Sequence, residues 1–273
     1  ISLNAANGNQ IMMNNIGTDV TGTLDRGNTA NGILVTGGSA RNNIGGEATG
    51  GNDPTGNVFV RPPQGNLISG NNANGVLITG LATQNKLSGN FIGTAASGNS
   101  ALGNTLDGVA IVGANGNSLI GCTFQQDPFV FYNVISANGG NGLRVTNSND
   151  TKIQANFFGI GADNDTALGN NLNGVVIEGS STRTTMGGPI PLGNVVAAND
   201  QNGIVVQGGA SGSNRSALIR SDGGQSITVG AGGITLNGGS GSNNWAVINQ
   251  MGAGASQSIT ATCVMGRCTS VVQ

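Results

Sequence analysis

Short apolar segments recur along the chain, and each begins directly after an Asn-Gly or Asp-Gly pair. The first and third positions of each segment are apolar, while the second varies from Leu to Arg144. Successive residues of a strand point to opposite faces, so the first and third positions share one buried face. The pattern predicts short strands that start at Ile33, Val76, Val109, Leu143, Val175 and Ile204.

A longer repeat of 66 residues connects these segments. The string at 85–93 returns at 151–159, since 151 − 85 = 66, and the Leu-Gly-Asn string at 102–104 returns at 168–170. A fixed period of this kind is typical of a solenoid, in which each unit buries its apolar face by stacking on its neighbours. We predict an all-β fold, a parallel β-helix of about twelve coils with very little helix, in which three coils of about 22 residues make up one repeat.

The Asn-Gly pairs have two interpretations. In antiparallel hairpins they form type I′ turns, which place strands on both sides of a two-residue loop. In a coiled solenoid they form tight corners between successive parallel strands, and the long period favours this second interpretation. Asparagines at such corners are expected to stack on those of neighbouring coils and to exchange side-chain hydrogen bonds along the axis.

The repeat changes its character near residue 210. Beyond a stretch rich in Gly and Ser, the spacing is 32, because the string at 225–229 is echoed at 257–261. We therefore predict two parts, a parallel β-helix over 1–210 with coils of about 22 residues and β-solenoid coils of a different register over 211–273. A separate small β domain is the alternative for the second part.

The composition suits a fold with many tight turns. The 273 residues include 50 Gly and 39 Asn, which adopt left-handed backbone angles more readily than most residues. Only 8% of the residues are charged, the net charge is −2, and no basic cluster provides a footprint for nucleic acid. No apolar run approaches the roughly 18 residues of a membrane-spanning helix. The chain starts at Ile1 within repeat sequence, so we expect a processed or excised piece of a longer protein.

Two of the three cysteines lie close together near the carboxyl end. Four residues separate Cys263 from Cys268, a spacing that suits a small loop closed by a disulfide bond. Such a bond forms in an oxidising compartment, which predicts an extracellular or cell-surface protein. Two unpaired thiols in a strand-turn-strand segment are the alternative interpretation.

Several strings resemble the repeats of right-handed parallel β-helices in large bacterial surface and secreted proteins. They are Gly-Asn-Phe-Ile-Gly-Thr at 89–94, Ala-Leu-Gly-Asn at 101–104 and Asn-Ile-Gly-Gly at 43–46. The segment after residue 220, with its Gln-Ser-Ile-Thr strings, looks like the repeats of filamentous-haemagglutinin-type adhesins. The resemblance implies an extracellular stalk, adhesin or fibre and carries no catalytic residues with it. Pectate lyases, polygalacturonases and phage tailspikes share this fold, so the resemblance does not select a function.

Acidic residues are the candidates for catalysis or metal binding. Asp163 and Asp165 lie near Asp150 in sequence, with Arg144 and Lys152 close by. A Ca²⁺ ion bound by Asp163 and Asp165, beside a basic residue that abstracts a proton, would resemble a pectate lyase site. The alternative is that these acids are solvated turn residues, since Asp and Asn are common in turns. We predict no catalytic residues, no metal site and no cofactor, with Asp163 and Asp165 as the only candidates for Ca²⁺.

The chain contains no histidine, and this excludes several classes of catalytic site. Without histidine, the chain cannot form a Ser-His-Asp or Cys-His nucleophile system. It also lacks the histidine that belongs to the polygalacturonase pattern. Aromatic side chains that stack on sugars are few, and they cluster at Phe129, Phe131 and Tyr132. This cluster is expected either to form a recognition loop or to fold back over an apolar patch.

These observations predict a non-catalytic extracellular β-solenoid that acts as a stalk, an adhesin segment or a fibre subunit. Its expected partners are a second copy joined end to end, neighbouring coils of a longer chain, and a host surface or glycan. Nucleic acid and a membrane span are not expected. The alternatives are an enzyme that acts on acidic polysaccharide and a phage or viral receptor-binding fibre.

Overall fold

The computed structural model of the chain describes residues 1–46, 65–120, 122–123, 130–188 and 192–207. Beyond residue 207 it describes the backbone of five strands. These parts of the chain contain 26 strands and no α-helix. The predicted all-β fold is confirmed. It forms because short strands, in which every second residue is apolar, are separated by corners rich in Gly and Asn.

The strands follow one another in coils, which we number from the amino terminus. Coils one to three contain β1 (Ser2–Asn4), β2 (Gln10–Ile11), β3 (Asn15–Ile16), β4 (Ile33–Thr36), β5 (Asn43–Gly45), β6 (Leu67–Ile68), β7 (Val76–Ile78), β8 (Lys86–Ser88) and β9 (Phe91–Ile92). Coils four to six contain β10 (Val109–Val112), β11 (Ser118–Ile120), β12 (Cys122–Thr123), β13 (Val130–Phe131), β14 (Asn133–Ile135), β15 (Leu143–Thr146), β16 (Lys152–Gln154), β17 (Asn156–Phe158), β18 (Val175–Glu178), β19 (Thr185–Met186) and β20 (Asn194–Val196). Coils seven and eight contain β21 (Ile204–Gln207), β22 (Ala217–Ser221), β23 (Gln225–Val229), β24 (Ile234–Asn237), β25 (Ala246–Gln250) and β26 (Gln257–Ala261).

Strands of successive coils pair in parallel and build three sheets. The first sheet has the order β1-β4-β7-β10-β15-β18-β21-β24, the second β2-β5-β8-β11-β16-β19, and the third β3-β6-β9-β14-β17-β20-β23-β26. Two further pairs are β12 with β13, which is antiparallel, and β22 with β25, which is parallel. Each of the first six coils adds one strand to each sheet in turn. This is the topology of a parallel β-helix, as predicted.

The coils are longer than predicted. Val76 pairs with Val109 and Leu143 with Val175, so these two coils take 33 and 32 residues, and the other coils between β4 and β21 take 29 to 43, not about 22. In the part of the chain that the structure describes, the first sheet has eight strands, which correspond to eight coils, so the predicted number of about twelve is not confirmed. The predicted coil length was wrong because the repeat of 66 residues spans two coils. The strands β8 and β16, whose sequences repeat, lie two places apart in the second sheet.

Alternate coils differ at the corner between the third sheet and the first. In coils one, three and five a hairpin fills this corner, whereas coils two, four and six make a short turn there. The amide of Ala96 donates to the carbonyl of Gly22 at 2.9 Å, and that of Ala162 to the carbonyl of Gly98 at 3.1 Å, so the hairpins contact one another across the intervening coil. Antiparallel bridges mark the hairpins at Thr18 and Asp25, Thr94 and Ala101, and Ile160 and Ala167.

The interior is a stack of aliphatic columns. Each strand directs alternate residues inward, and each buried residue lies on its equivalent in the next coil. One fully buried column of the first sheet consists of Ile33, Val76, Val109, Leu143, Val175 and Ile204. A second apolar cluster lies on the outer side of the third sheet and contains Leu67, Phe91, Val134, Phe157 and Ile160. The hairpins of the odd-numbered coils pack against this cluster, so the wall there is two layers thick.

Three of the five strands beyond residue 210 join the sheets of the preceding coils, while β22 and β25 pair only with each other. β24 pairs with β21 in the first sheet, while β23 and β26 continue the third sheet after β20. The echoed strings at 225–229 and 257–261 are neighbouring strands, paired residue by residue. The division of the chain into two parts at residue 210 stays a prediction.

Candidate functional site: asparagine ladders and a polar sheet face

Columns of asparagine run along the axis at the corners of the coils. In three of these ladders each side chain donates to the asparagine of a later coil. The first ladder consists of Asn9, Asn42, Asn85 and Asn117. The second consists of Asn14, Asn66, Asn90, Asn133, Asn156 and Asn194. The third consists of Asn28, Asn71, Asn104, Asn138, Asn170 and Asn199.

Asn90 shows how a ladder satisfies a buried amide. Its Oδ1 accepts hydrogen bonds from the backbone amide and the Nδ2 of Asn66, at 3.1 and 3.0 Å. Its Nδ2 donates to Oδ1 of Asn133 at 3.2 Å and to the carbonyl of Ile44 at 2.9 Å. The fully buried side chain therefore leaves no polar group unpaired, in a setting where each unpaired group costs about 1–3 kcal/mol.

A fourth ladder runs in the opposite direction and contains one acid. Asn74 donates through Nδ2 to Oδ1 of Asn31 at 2.9 Å, toward the amino terminus. Asp107 occupies the next place, and one of its carboxylate oxygens accepts from the backbone amide and the Nδ2 of Asn141, both at 2.8 Å. The other oxygen accepts from Nε of Arg144 at 2.7 Å. The guanidinium thus compensates the single charge in a column whose other members are Asn31, Asn74, Asn141, Asn173 and Asn202.

We expect Arg144→Met to lower the free energy of unfolding by about 1–2 kcal/mol. The Asp107 side chain is 8% exposed and would lose its cationic partner, but a third of Arg144 is exposed, so water screens part of the loss. Denaturant unfolding of Arg144→Met and of the double variant Asp107→Asn/Arg144→Met tests this. The double variant restores a neutral ladder, so it is expected to recover most of the stability. An equal loss in both variants would contradict the charge argument.

The outward face of the second sheet is polar and carries two lysines. Lys86 and Lys152 lie two coils apart in one outward column, because both pair with Ser118. At about 4.8 Å per coil, their strand positions are separated by about 9.6 Å. The adjacent positions Ile44 and Leu87 point inward and are fully buried. The outward column consists of Gln10, Asn43, Lys86, Ser118, Lys152 and Thr185.

A depression of about 120 Å³ opens on this face between the second and third coils. It is lined by Asn43, Gly45, Gly46, Lys86 and Ser88. The space exists because Gly45 has a φ of +81°, and a Cβ at this position would overlap the carbonyl oxygen of Ser88. Ser88 is 2% exposed, and its Oγ has no hydrogen-bond partner. The depression therefore contains an unused hydroxyl group beside an amide and an ammonium group.

The acids predicted as a Ca²⁺ site lie on a different face. Asp163 and Asp165 are in the hairpin of the fifth coil, where the Asp163 carboxylate accepts from the Thr166 hydroxyl at 2.6 Å and from the amides of Asp165 and Thr166. The Thr166 hydroxyl, followed by these amides, lowers the pKa of Asp163. This arrangement matches the alternative interpretation of a turn residue. No group of three or more Cys, Asp or Glu residues able to hold a metal ion occurs in the described part of the chain, and Ca²⁺ binding stays a prediction.

The basic residues expected near these acids have other partners. Arg144 contacts Asp107, on the side of the first sheet. Asp150 accepts two hydrogen bonds of 2.7 Å from Arg183, and the hydrogen bond from Arg183 lowers the pKa of Asp150. Lys152 lies on the polar face of the second sheet. Arg144 therefore does not take part in the predicted arrangement of Asp163, Asp165 and a basic residue that resembles a pectate lyase site.

The aromatic cluster is described in part. The ring of Tyr132 stacks on Phe157 with centroids 4.0 Å apart, and burial raises the pKa of its hydroxyl. Tyr132 thus packs against the apolar cluster outside the third sheet, which agrees with the interpretation of a covered patch. Phe131 belongs to β13, which pairs with β12. Phe129, Cys263 and Cys268 lie outside the described residues, so the recognition loop and the disulfide stay predictions.

The depression and the column shared by Lys86 and Lys152 were not predicted from the sequence. A signal was present, because Lys86 and Lys152 occupy the same place in the two strings that repeat after 66 residues. Equivalent places in a solenoid lie above one another, so the repeat alone puts both lysines in one column. The unpaired hydroxyl of Ser88 depends on the packing of the neighbouring coil and has no sequence signal.

The chain is similar to known proteins only in its structure. No protein-family model and no curated protein matches the chain. A double mutant of the periplasmic alginate epimerase AlgG is similar over 96% of this chain and 44% of its own, with 15% identity and a TM-score of 0.40. The full-length tailspike protein 2 of the Escherichia coli O157:H7 bacteriophage CAB120 is similar over 86% and 34%, with 13% identity and a TM-score of 0.35. The A-module of a mannuronan C-5 epimerase of Azotobacter vinelandii is similar over 84% and 73%, with 13% identity and a TM-score of 0.31.

These comparisons correct one prediction. The chain spans less than half the length of the first two structures, and at such low identity the likeness concerns the course of the backbone. Two of the three similar structures are nevertheless epimerases by name, of alginate and of mannuronan. The prediction that the chain is not an enzyme is therefore wrong, since the absence of histidine does not exclude catalysis on such a backbone. In the described residues no helix is long and apolar enough to cross a membrane.

Proposed function

We propose that the chain is a section of an extracellular structural or adhesive β-helix, such as a stalk, an adhesin segment or a fibre subunit. The observation that carries this proposal is the second ladder, whose hydrogen bonds join coil to coil from Asn14 to Asn194. Its links are neutral and mostly buried, so they are insensitive to salt, whereas exposed ion pairs are screened. A body held in this way suits the variable conditions outside a cell.

Two features of the sequence support the same proposal. The strings after residue 220 resemble haemagglutinin-type adhesin repeats, and a disulfide between Cys263 and Cys268 would fit an oxidising compartment. Parallel strand edges also allow further coils, of this chain or of a second copy, to continue the same pattern of hydrogen bonds. Axial association is therefore part of the proposal.

Labelling of intact cells tests the extracellular location. An antibody against the chain is expected to label unbroken source cells, and external protease is expected to remove the label while a cytoplasmic marker stays intact. Electron microscopy of the released protein is expected to show narrow rods or filaments. Labelling only after lysis would overturn the proposal, and a trimer that resists detergent would favour a receptor-binding fibre.

A further inference from the structure

The chain contains nine Asn-Gly pairs, and each is a place where the polypeptide can modify itself. Asparagine is chemically labile, and a following glycine has no side chain to shield its backbone nitrogen. That nitrogen attacks Cγ of the asparagine, the Cγ–Nδ2 bond breaks, and Nδ2 leaves as ammonia with the proton of the glycine amide. Water then opens the succinimide ring at either carbonyl, which gives aspartate or isoaspartate.

Three buried pairs are held closed by the neighbouring coils. Nδ2 of Asn141, the leaving group, donates to Asp107 at 2.8 Å, and the attacking nitrogen of Gly142 donates to the carbonyl of Asn173 at 2.9 Å. A Cβ on Gly142 would overlap the carbonyl oxygen of Gly174, so a succinimide ring has no room there. The other buried pairs held in this way begin at Asn74 and Asn138.

Two pairs lie instead at the outer corner between the first and second sheets. They begin at Asn7 and Asn115, and both side chains are exposed. Their Oδ1 atoms accept from the backbone amides of Ala40 and Asn149, at 2.7 and 2.8 Å. Neither Nδ2 makes a hydrogen bond within the described part of the chain. The leaving group is therefore in contact with water at both places.

The glycines of these two pairs have space around them. A Cβ on Gly8 would meet no atom within 4 Å, and one on Gly116 would meet only ordinary contacts of 3.5 Å or more. Each glycine amide is held by one hydrogen bond, from Gly8 to the carbonyl of Ala40 at 3.0 Å and from Gly116 to that of Asn149 at 2.8 Å. Breaking this one bond releases the nitrogen, and no coil has to open.

We propose that Asn7 and Asn115 are modification sites at which the folded chain converts to aspartate or isoaspartate, whereas Asn74, Asn138 and Asn141 convert only when a coil opens. Each conversion replaces a neutral amide with a carboxylate, so two conversions change the net charge from −2 to −4, since −2 − 2 = −4. Isoaspartate also lengthens the backbone by one methylene group. The proposal goes beyond the proposed function, because the reaction needs only water and the described coils.

Incubation of the full chain in mildly alkaline heavy-oxygen water tests the proposal. Digestion with an acid protease and mass spectrometry then locate each converted asparagine by its incorporated oxygen. The same incubation in guanidinium gives the rate of every pair in the unfolded chain. In the folded chain, Asn7 and Asn115 are expected to convert within about tenfold of their unfolded rates, and the three buried pairs to be slower by at least about 100-fold.

Two variants separate opening of the corner from opening of the coil. Thr83→Val removes the hydroxyl that donates to the carbonyl of Asn115 at 2.7 Å. It is expected to speed conversion of Asn115 about threefold and to leave Asn7 unchanged. Asn90→Ala weakens the contact between coils, so it is expected to speed conversion of Asn141 about tenfold or more and to leave Asn115 unchanged. Circular dichroism verifies that both variants are folded.

Two results would overturn the proposal. One is a folded chain in which Asn7 and Asn115 stay intact for as long as the unfolded chain takes to convert fully. The other is a folded chain in which the buried pairs convert as fast as Asn115. Neither result bears on the location of the protein, which the labelling of intact cells tests separately.

Discussion

Asn90→Ala is expected to lower the free energy of unfolding by about 4 kcal/mol. The substitution removes both hydrogen bonds donated by the Asn90 amide and takes one partner from the carbonyl of Ile44 and the acceptor from the backbone amide of Asn66, while Nδ2 of Asn66 keeps only its bond to the carbonyl of Ile11. All of these groups lie in the interior, where water cannot replace the lost bonds without opening the coil. Guanidinium denaturation followed by circular dichroism measures the loss.

Asn72→Ala is the matched control for this prediction. Asn72 is exposed, and its backbone amide donates to the carbonyl of Asn28 whatever the side chain is. The expected change is within about 0.5 kcal/mol. If Asn90→Ala were as stable as Asn72→Ala, the ladders would not hold the coils together, and the basis of the structural proposal would be lost.

Gly93→Ala is expected to be destabilising by about 3–5 kcal/mol. Gly93 follows β9 at the start of the hairpin of the third coil, with a φ of +90°. A Cβ there would overlap the carbonyl oxygen of Ser136 and the side chain of Asn138, a member of the third ladder. The added methyl group therefore strains the backbone and pushes two adjacent coils apart.

Gly113→Ala separates these two effects. Gly113 has a φ of +60°, and a Cβ there would meet no atom within 4 Å. Only the backbone strain remains, so a loss of about 1 kcal/mol is expected. Thermal unfolding of both variants gives the comparison, and similar losses for Gly93→Ala and Gly113→Ala would show that contact between the coils is not tight at the hairpin.

The sequence was sufficient to predict six strands of the first sheet, the parallel stacking of the coils and the presence of asparagine ladders. These features follow from local patterns, because an apolar-x-apolar string after Asn-Gly fixes both a corner and a buried face. The number of residues in one coil could not be predicted from these local patterns. β8 and β9 are separated only by Gly89 and Asn90, so two strands from two sheets appear as one continuous string. Nothing in such a string shows that the chain turns a corner at Asn90.

The candidate site was predicted less well than the fold. Lys86 and Lys152 share a place in the repeat, but which face they occupy depends on the register of strands only three residues long. The pair formed by Asp107 and Arg144 was not foreseen either, since 37 residues separate them and only the coil length of 33 or 34 brings them together. Both cases require the correct coil length, which the repeat of 66 concealed.

The hairpins on every second coil restrict how this protein can change in length. Removing one coil would bring two hairpins to the height of adjacent coils, although Gly22 and Ala96 already contact each other across a spacing of two coils. Removing two coils would instead restore the original alternation. We therefore expect the chain to tolerate insertions and deletions in steps of two coils, about 66 residues, and not of one coil.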